Sequence, residues 1–244
     1  MRGMTEVHTE TPVPYEPHIG ESRQYWRDII LGVNDGLVST LLLVAAVVGG
    51  GFATPVVLFT ALAGAVAGAV SMAAGEYLAT ESQREIIEAE LNLERTHIRD
   101  YREMEVDQLA DMISDIGVSP DRLDMVVEAL SADDEVLLNS MKVLEFGVVE
   151  SEIRSSYKAM LISGSLFLAG SLTSVVPFLF DVSPSRALAV AATLTALGLF
   201  TVGWVKAGVT KRNQIVDGFG NLLIAGLGGV LAFFIGGVLQ NLIG

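Results

Sequence analysis

Ile29 to Gly51 reads IILGVNDGLVSTLLLVAAVVGGG, and Pro55 to Leu78 reads PVVLFTALAGAVAGAVSMAAGEYL. Each exceeds the roughly 20 apolar residues that cross about 30 Å of hydrocarbon as a helix. Asp35 and Glu76 are the only charges in them. Two further stretches, Ala159 to Phe180 and Ala187 to Val205, have the same character. A fifth, Phe219 to Ile243, follows a polar turn containing Lys211, Arg212 and Asn213. The pattern predicts an all-α polytopic membrane protein with five transmembrane helices. An odd number of spans puts the termini on opposite sides.

Composition agrees with that class. The 244 residues are 51% hydrophobic and 18% charged, with mean hydropathy +0.51. A soluble domain carries about a quarter charged residues. The absence of cysteine excludes disulfides, thiolate metal sites and cysteine nucleophiles. Residues 1–22 are polar, contain Pro12, Pro14 and Pro17, and show no short cleavable signal, so a disordered cytoplasmic tail is expected. His8 and His18 fall in that tail as bystanders.

The net charge of −14 is concentrated in one segment. Residues 81–152 hold 20 acids against 6 bases, and the remainder holds 9 of each. A nucleic-acid partner needs the opposite sign and is set aside. An acidic, halophile-type surface is the other source of such an excess. The chain therefore divides into the tail, transmembrane helices 1–2 (23–80), an acidic helical domain (81–152) and transmembrane helices 3–5 (153–244).

Positive charge orients the spans. Arg23 and Arg27 precede the first, Arg84, Arg154 and Lys158 flank the acidic domain, and Lys206, Lys211 and Arg212 separate the fourth from the fifth. The opposite side offers Arg186 alone. The N-terminus and the acidic domain are thus expected in the cytoplasm and the C-terminus across the membrane.

Within the acidic domain, Glu81 to Ile98 lacks Gly and Pro and continues the second span. Tyr101 to Ile116 carries an apolar stripe of Val106, Leu109, Ile113 and Ile116. Gly117 is expected to end that helix in a left-handed cap. A short helix follows Ser119-Pro120, and another is expected over Ala132 to Ser151. In the second span, Gly64-x-x-x-Gly68 permits close helix packing.

A carboxylate at mid-membrane costs roughly 2.5–3.5 kcal/mol on insertion scales and usually lines a pathway. Asp35, two turns into the first span, is expected to be buried for that reason. Glu76 lies near the cytoplasmic end of the second, where the plain alternative is an interfacial acid reaching water. Met72 shares its face one turn earlier; alone it would read as packing.

On the acidic helices, Glu81, Glu85 and Glu88 form one stripe. Glu90, Glu94 and His97 form another on the opposite side. Glu105, Gln108 and Met112 line up on the next helix, and Met141 and Glu145 on the last. Acid on a helix is most often a solvated face. Carboxylates with an imidazole and thioethers, however, suit first-row transition metals better than calcium or magnesium. Glu94-x-x-His97 is half of a di-iron carboxylate motif. No second copy exists, which disfavours an iron-oxidising enzyme. No phosphate-binding loop or catalytic triad stands out.

Arg27-Asp28-Ile29-Ile30-Leu31-Gly32-Val33-Asn34-Asp35-Gly36-Leu37-Val38 resembles the first-helix motif of the vacuolar iron transporter family. Ser71-Met72-Ala73-Ala74-Gly75-Glu76-Tyr77-Leu78 resembles its second-helix motif. The likeness runs from about Arg23 to the C-terminus. It implies a homodimer exchanging cytosolic Fe²⁺ or Mn²⁺ for protons, along a path between the first two helices of each subunit. By position, Asp35 and Met72 match the family's membrane ligands. Glu94, Glu105, Met141 and Glu145 match ligands of its cytoplasmic domain. His97 and Gln108 stand where plant members carry glutamates, and Gly64 replaces a further membrane glutamate, which Glu76 could substitute.

The expected function is export of divalent Fe²⁺ or Mn²⁺ from the cytoplasm in exchange for protons, with no organic cofactor. The metal ligands expected are Asp35, Met72, Glu76, Glu94, His97, Glu105, Met141 and Glu145. The competing expectation is a membrane-anchored metal sensor or store. The expected site is a prokaryotic plasma membrane.

Overall fold

The structure is a computed structural model describing residues 22–148 and 154–243. The expected tail falls outside the described residues, apart from Ser22. Every regular element among the described residues is a helix: α1 (Ser22–Gly49), α2 (Thr54–Asp115), α3 (Pro120–Leu130), α4 (Asp134–Leu144), α5 (Ser156–Val175), α6 (Pro184–Val209) and α7 (Gln214–Ile243). A 3₁₀ turn, Val176–Leu179, closes α5 at Pro177.

Apolar stretches long enough to cross a membrane lie in α1, α2, α5 with its 3₁₀ turn, and α6. In α7 the apolar described stretch is Gly226–Leu242. Large apolar side chains such as Phe59, Val66, Val70, Leu197 and Phe234 point outward, as lipid-facing residues do.

The α1 helix packs against α2, α5, α6 and α7, and glycine sets how closely. A Cβ on Gly36 would lie 2.1 Å from the Phe167 carbonyl oxygen of α5, and one on Gly170 would lie 2.5 Å from the Val33 oxygen. The helices meet backbone to backbone, where any side chain would force them apart. Buried hydroxyls reinforce the contacts. Thr40 Oγ1 donates to Ser171 Oγ at 2.9 Å, and Ser174 and Thr195 share a bond of 3.2 Å between α5 and α6.

The expected Gly64-x-x-x-Gly68 crossing is different in kind. A Cβ at either glycine would meet side chains, Leu43 and the Phe167 ring, and no backbone. These glycines open space beside α1 instead of drawing two backbones together.

Beyond Leu78 the α2 helix turns polar and continues to a break at Tyr101 (φ −138°, ψ 34°). The break falls at the first residue of the second helix expected from sequence. Its second limb, with α3 and α4, encloses a separate apolar core of Ile98, Leu109, Ile113, Leu137 and Met141. Arg102 ties the limb to the α3–α4 turn through Asp134 Oδ1 at 2.9 Å and the Ser131 carbonyl at 2.6 Å. Gly117 takes φ 96°, the left-handed cap expected there. Asp133 caps α4 by accepting from the Glu135 and Val136 amides.

The α4 helix is shorter than expected. It stops at Leu144, where the Glu145 and Phe146 amides both turn to the Met141 carbonyl. Gly147 then adopts φ 63°, which ends helical geometry well before Ser151.

Candidate functional site

Three polar groups lie along α1 and α2. The first is an open cavity of about 310 Å³ between these helices and α5, lined by Asp35, Ser39, Thr40, Gly64, Ser71, Met72 and their apolar neighbours Leu43, Gly68 and Phe167. Ser39 Oγ donates to Asp35 Oδ1 at 2.5 Å. Asp35 was expected to be buried, yet within a single chain it is exposed, on the open side of the cavity. Met72 is half-buried opposite it, and Gly64 supplies the room that a larger residue would take from Leu43. A hard carboxylate and a soft thioether at one mouth form a mixed donor pair suited to a first-row metal.

The second group lies beyond the apolar part of α2. His97 Nδ1 is 3.5 Å from Glu105 Oε1 and 3.9 Å from Glu94 Oε2. One ligand atom from each of the three residues lies within 4.8 Å of the others. Glu94 and Glu105 are 11 residues apart, which a straight helix would spread over about 16 Å. The break at Tyr101 folds the second limb back and brings them together. Both carboxylates are buried, and Glu94 Oε1 and Glu105 Oε2 have no hydrogen-bond partner. Two buried acids facing one imidazole are costly unless something positive sits between them.

The other expected ligands of this region are arranged differently. Met141 is wholly buried in the apolar core, where packing explains it. Glu145 is exposed at the end of α4, and its charge still reaches Glu94. Glu85, Glu88 and Glu90 are solvated, as is Gln108.

Burial, followed by the negative charges of Glu105 and Glu145, pushes the Glu94 carboxyl up to about 7, with His97 acting the other way. The sign has two consequences. Between the ordinary carboxyl pKa and about 7 the folded form holds a proton that the unfolded chain has released. The metal-free fold therefore loses stability as pH rises through that window. A metal must displace the same proton. Mn²⁺ bound at Glu94, His97 and Glu105 is expected to be about tenfold weaker at pH 6 than at pH 8. Calorimetry on the full-length Asp35→Ala protein at the two pH values measures this; equal affinities would remove Glu94 from the ligand set.

The third group lies toward the start of α1. Arg154 Nη2 donates to Asp28 Oδ2 at 2.5 Å and to Glu76 Oε1 at 2.6 Å. Glu76 is thus ion-paired and largely covered. Sequence marked Arg154 only as a flanking charge and Asp28 only as part of the first-helix motif, and neither was expected at a site. The available signal was register: Asp28 and Asp35 are seven apart, and so share a face of α1.

The comparisons with known proteins agree with the early resemblance. Vacuolar iron transporter 2 of Oryza sativa subsp. japonica is 32% identical over 201 residues, covering 81% of this chain and 80% of that protein. Proteins named vacuolar iron transporter 1 from Tulipa gesneriana and Arabidopsis thaliana are each 26% identical over 198 residues, covering 81% of this chain and 80% and 79% of theirs. All three are plant proteins named for the vacuole, and they lend no support to the expected prokaryotic plasma membrane. The profile of the VIT family matches residues 26–237. With a match of that breadth, the chain belongs to the VIT family.

Proposed function

We propose that this chain transports Fe²⁺ or Mn²⁺ out of the cytoplasm in exchange for protons, as a homodimer of five-span subunits. The observation that carries the reading is the continuity of α2. One uninterrupted helical stretch bears Met72 at the membrane cavity, Glu76 one turn on, and Glu94 with His97 in the distal cluster. Metal collected at Glu94, His97 and Glu105 is thereby delivered to the helix that lines the path.

Several features support the finer points. The basic residues around the acidic segment favour its placement in the cytoplasm, with the C-terminus across the membrane. Asp35 is exposed on a helix whose surroundings are hydrocarbon, a position that a second copy would cover. A carboxylate that must release a proton to take a metal ion couples the two flows. With Gly64 in place of an acid, Asp35 carries that exchange and Glu76 assists at the cytoplasmic mouth. Glu145 adds negative charge beside the distal cluster, and Met141 holds its core.

The test is uptake by sealed vesicles containing the purified protein. A gradient acidic on the side receiving metal is expected to accelerate Fe²⁺ or Mn²⁺ movement several-fold. Glu76→Gln is expected to slow that movement without abolishing it. Flux indifferent to the gradient would make the protein a uniporter. Metal binding without any flux would make it an anchored sensor or store.

A further inference from the structure

Asp28, Glu76 and Arg154 form a buried ionic group that the proposed path does not yet explain. The Asp28 and Glu76 side chains are 0% and 10% exposed, and that of Arg154 is 12% exposed. A single nitrogen, Arg154 Nη2, meets both acids. Asp28 Oδ1 and Arg154 Nε are buried without hydrogen-bond partners. Arg27 lies 3.7 Å from Asp28 Oδ1 and from Glu76 Oε1, but its side chain is 68% exposed and screened by solvent. The buried set therefore holds two acids against one base.

Register relates this group to the membrane cavity. Asp28 lies seven residues before Asp35 on α1, and Glu76 four residues after Met72 on α2. Both offsets keep the same helix face. The two helices run in opposite directions, so both displacements point toward the same end. The Asp28–Glu76 pair repeats the Asp35–Met72 pair about 6–10 Å nearer the distal cluster.

We infer that Asp28 and Glu76 form a further divalent-cation station, and that the Arg154 guanidinium is its built-in place-holder. A divalent ion takes carboxylate oxygens at about 2.0–2.6 Å, so one at the Nη2 position needs only slight closure of the acids. Asp28 Oδ1, which has no hydrogen bond and only the solvent-screened Arg27 3.7 Å away, then gains a close cation. A double charge also balances two carboxylates, which a guanidinium does not. Arg154 lies outside α5, immediately before its N-cap Ser155, and its side chain can leave without disturbing helical backbone. Arriving metal displaces Arg154, and departing metal lets it return, so the buried acids are never left without a cation.

The station rests on the proposed transport path, but its cation binding can be measured without transport. The probe is Mn²⁺, titrated into the full-length, detergent-solubilised Asp35→Ala/Glu94→Ala/Glu105→Ala protein. Adding Arg154→Gln is expected to tighten Mn²⁺ binding at least tenfold. Adding Asp28→Asn and Glu76→Gln to that variant is expected to remove the binding. Unchanged or weaker binding on Arg154→Gln would reduce the group to a structural clamp. Should Arg154→Gln fail to fold, Asp28→Asn/Glu76→Gln with Arg154 intact preserves shape and hydrogen bonding. It is expected to lose the weak Mn²⁺ site that its parent shows at high concentration, and equal binding by the two would overturn the inference. If these variants bind Mn²⁺ in this way but the unsubstituted protein moves none into vesicles, the transport reading is sunk and the station stands.

Discussion

Asp35→Ala is expected to reduce Fe²⁺ or Mn²⁺ flux into vesicles to background while leaving a chain of normal yield and assembly. The structure separates the two effects. Asp35 is exposed within the chain and accepts a hydrogen bond from Ser39 on its own helix. Its loss leaves only the Ser39 hydroxyl without its partner, and that hydroxyl can turn to a carbonyl of its own helix, so the fold is expected to keep its stability. In the proposed path, by contrast, Asp35 is the one acid lining the cavity that also holds Met72. Gly64 brings no second carboxylate there, so no neighbour replaces the lost charge. Size-exclusion elution and thermal unfolding in detergent check the fold, and vesicle uptake checks the flux. Full uptake by Asp35→Ala would move the path away from the α1–α2 cavity.

Gly36→Ala, the next residue along, is expected to act on the fold itself. The added methyl would lie 2.1 Å from the Phe167 oxygen and 2.8 Å from its carbonyl carbon, both backbone atoms that no rotamer change can move. Separating α1 from α5 loosens the reciprocal contact at Gly170 and stretches the Thr40–Ser171 hydrogen bond one turn on. Overpacking of this kind costs about 1–3 kcal/mol or more, and a chain of this size loses about 2–4 °C of melting temperature per kcal/mol. Gly64→Ala is the control, because its methyl meets only the tip of Leu43, which can swing away. Equal melting temperatures for Gly36→Ala and Gly64→Ala would show that the α1–α5 crossing tolerates separation.

Both predictions depend on information that sequence and structure supplied in different measure. Sequence by itself determined the all-helical, membrane-spanning class and marked candidate residues for its chemistry. Runs such as Ile29 to Gly51 force helices, because a backbone in hydrocarbon must satisfy its own hydrogen bonds. The left-handed position at Gly117, the proline-led start of α3 and a break near Tyr101 were legible because each depends on a few neighbouring residues. Asp35 and Met72 stood out because charge and soft donors are rare inside apolar spans, and Glu94, His97 and Glu105 through their helical spacing and the family resemblance.

Only the tertiary structure decided which of them meet. The fold-back at Tyr101 brings Glu105 to Glu94 and His97, and its angle is set by the core around Leu109, Leu137 and Met141. That core encloses Met141, which the sequence paired with Glu145 on one helix face and which was expected as a metal ligand. Asp28 and Arg154 are 126 residues apart, and nothing local links them. Their pairing arises where α1, α2 and the approach to α5 converge. Long-range contacts of this kind depend on how helices pack against one another, whereas helix formation depends on each segment alone.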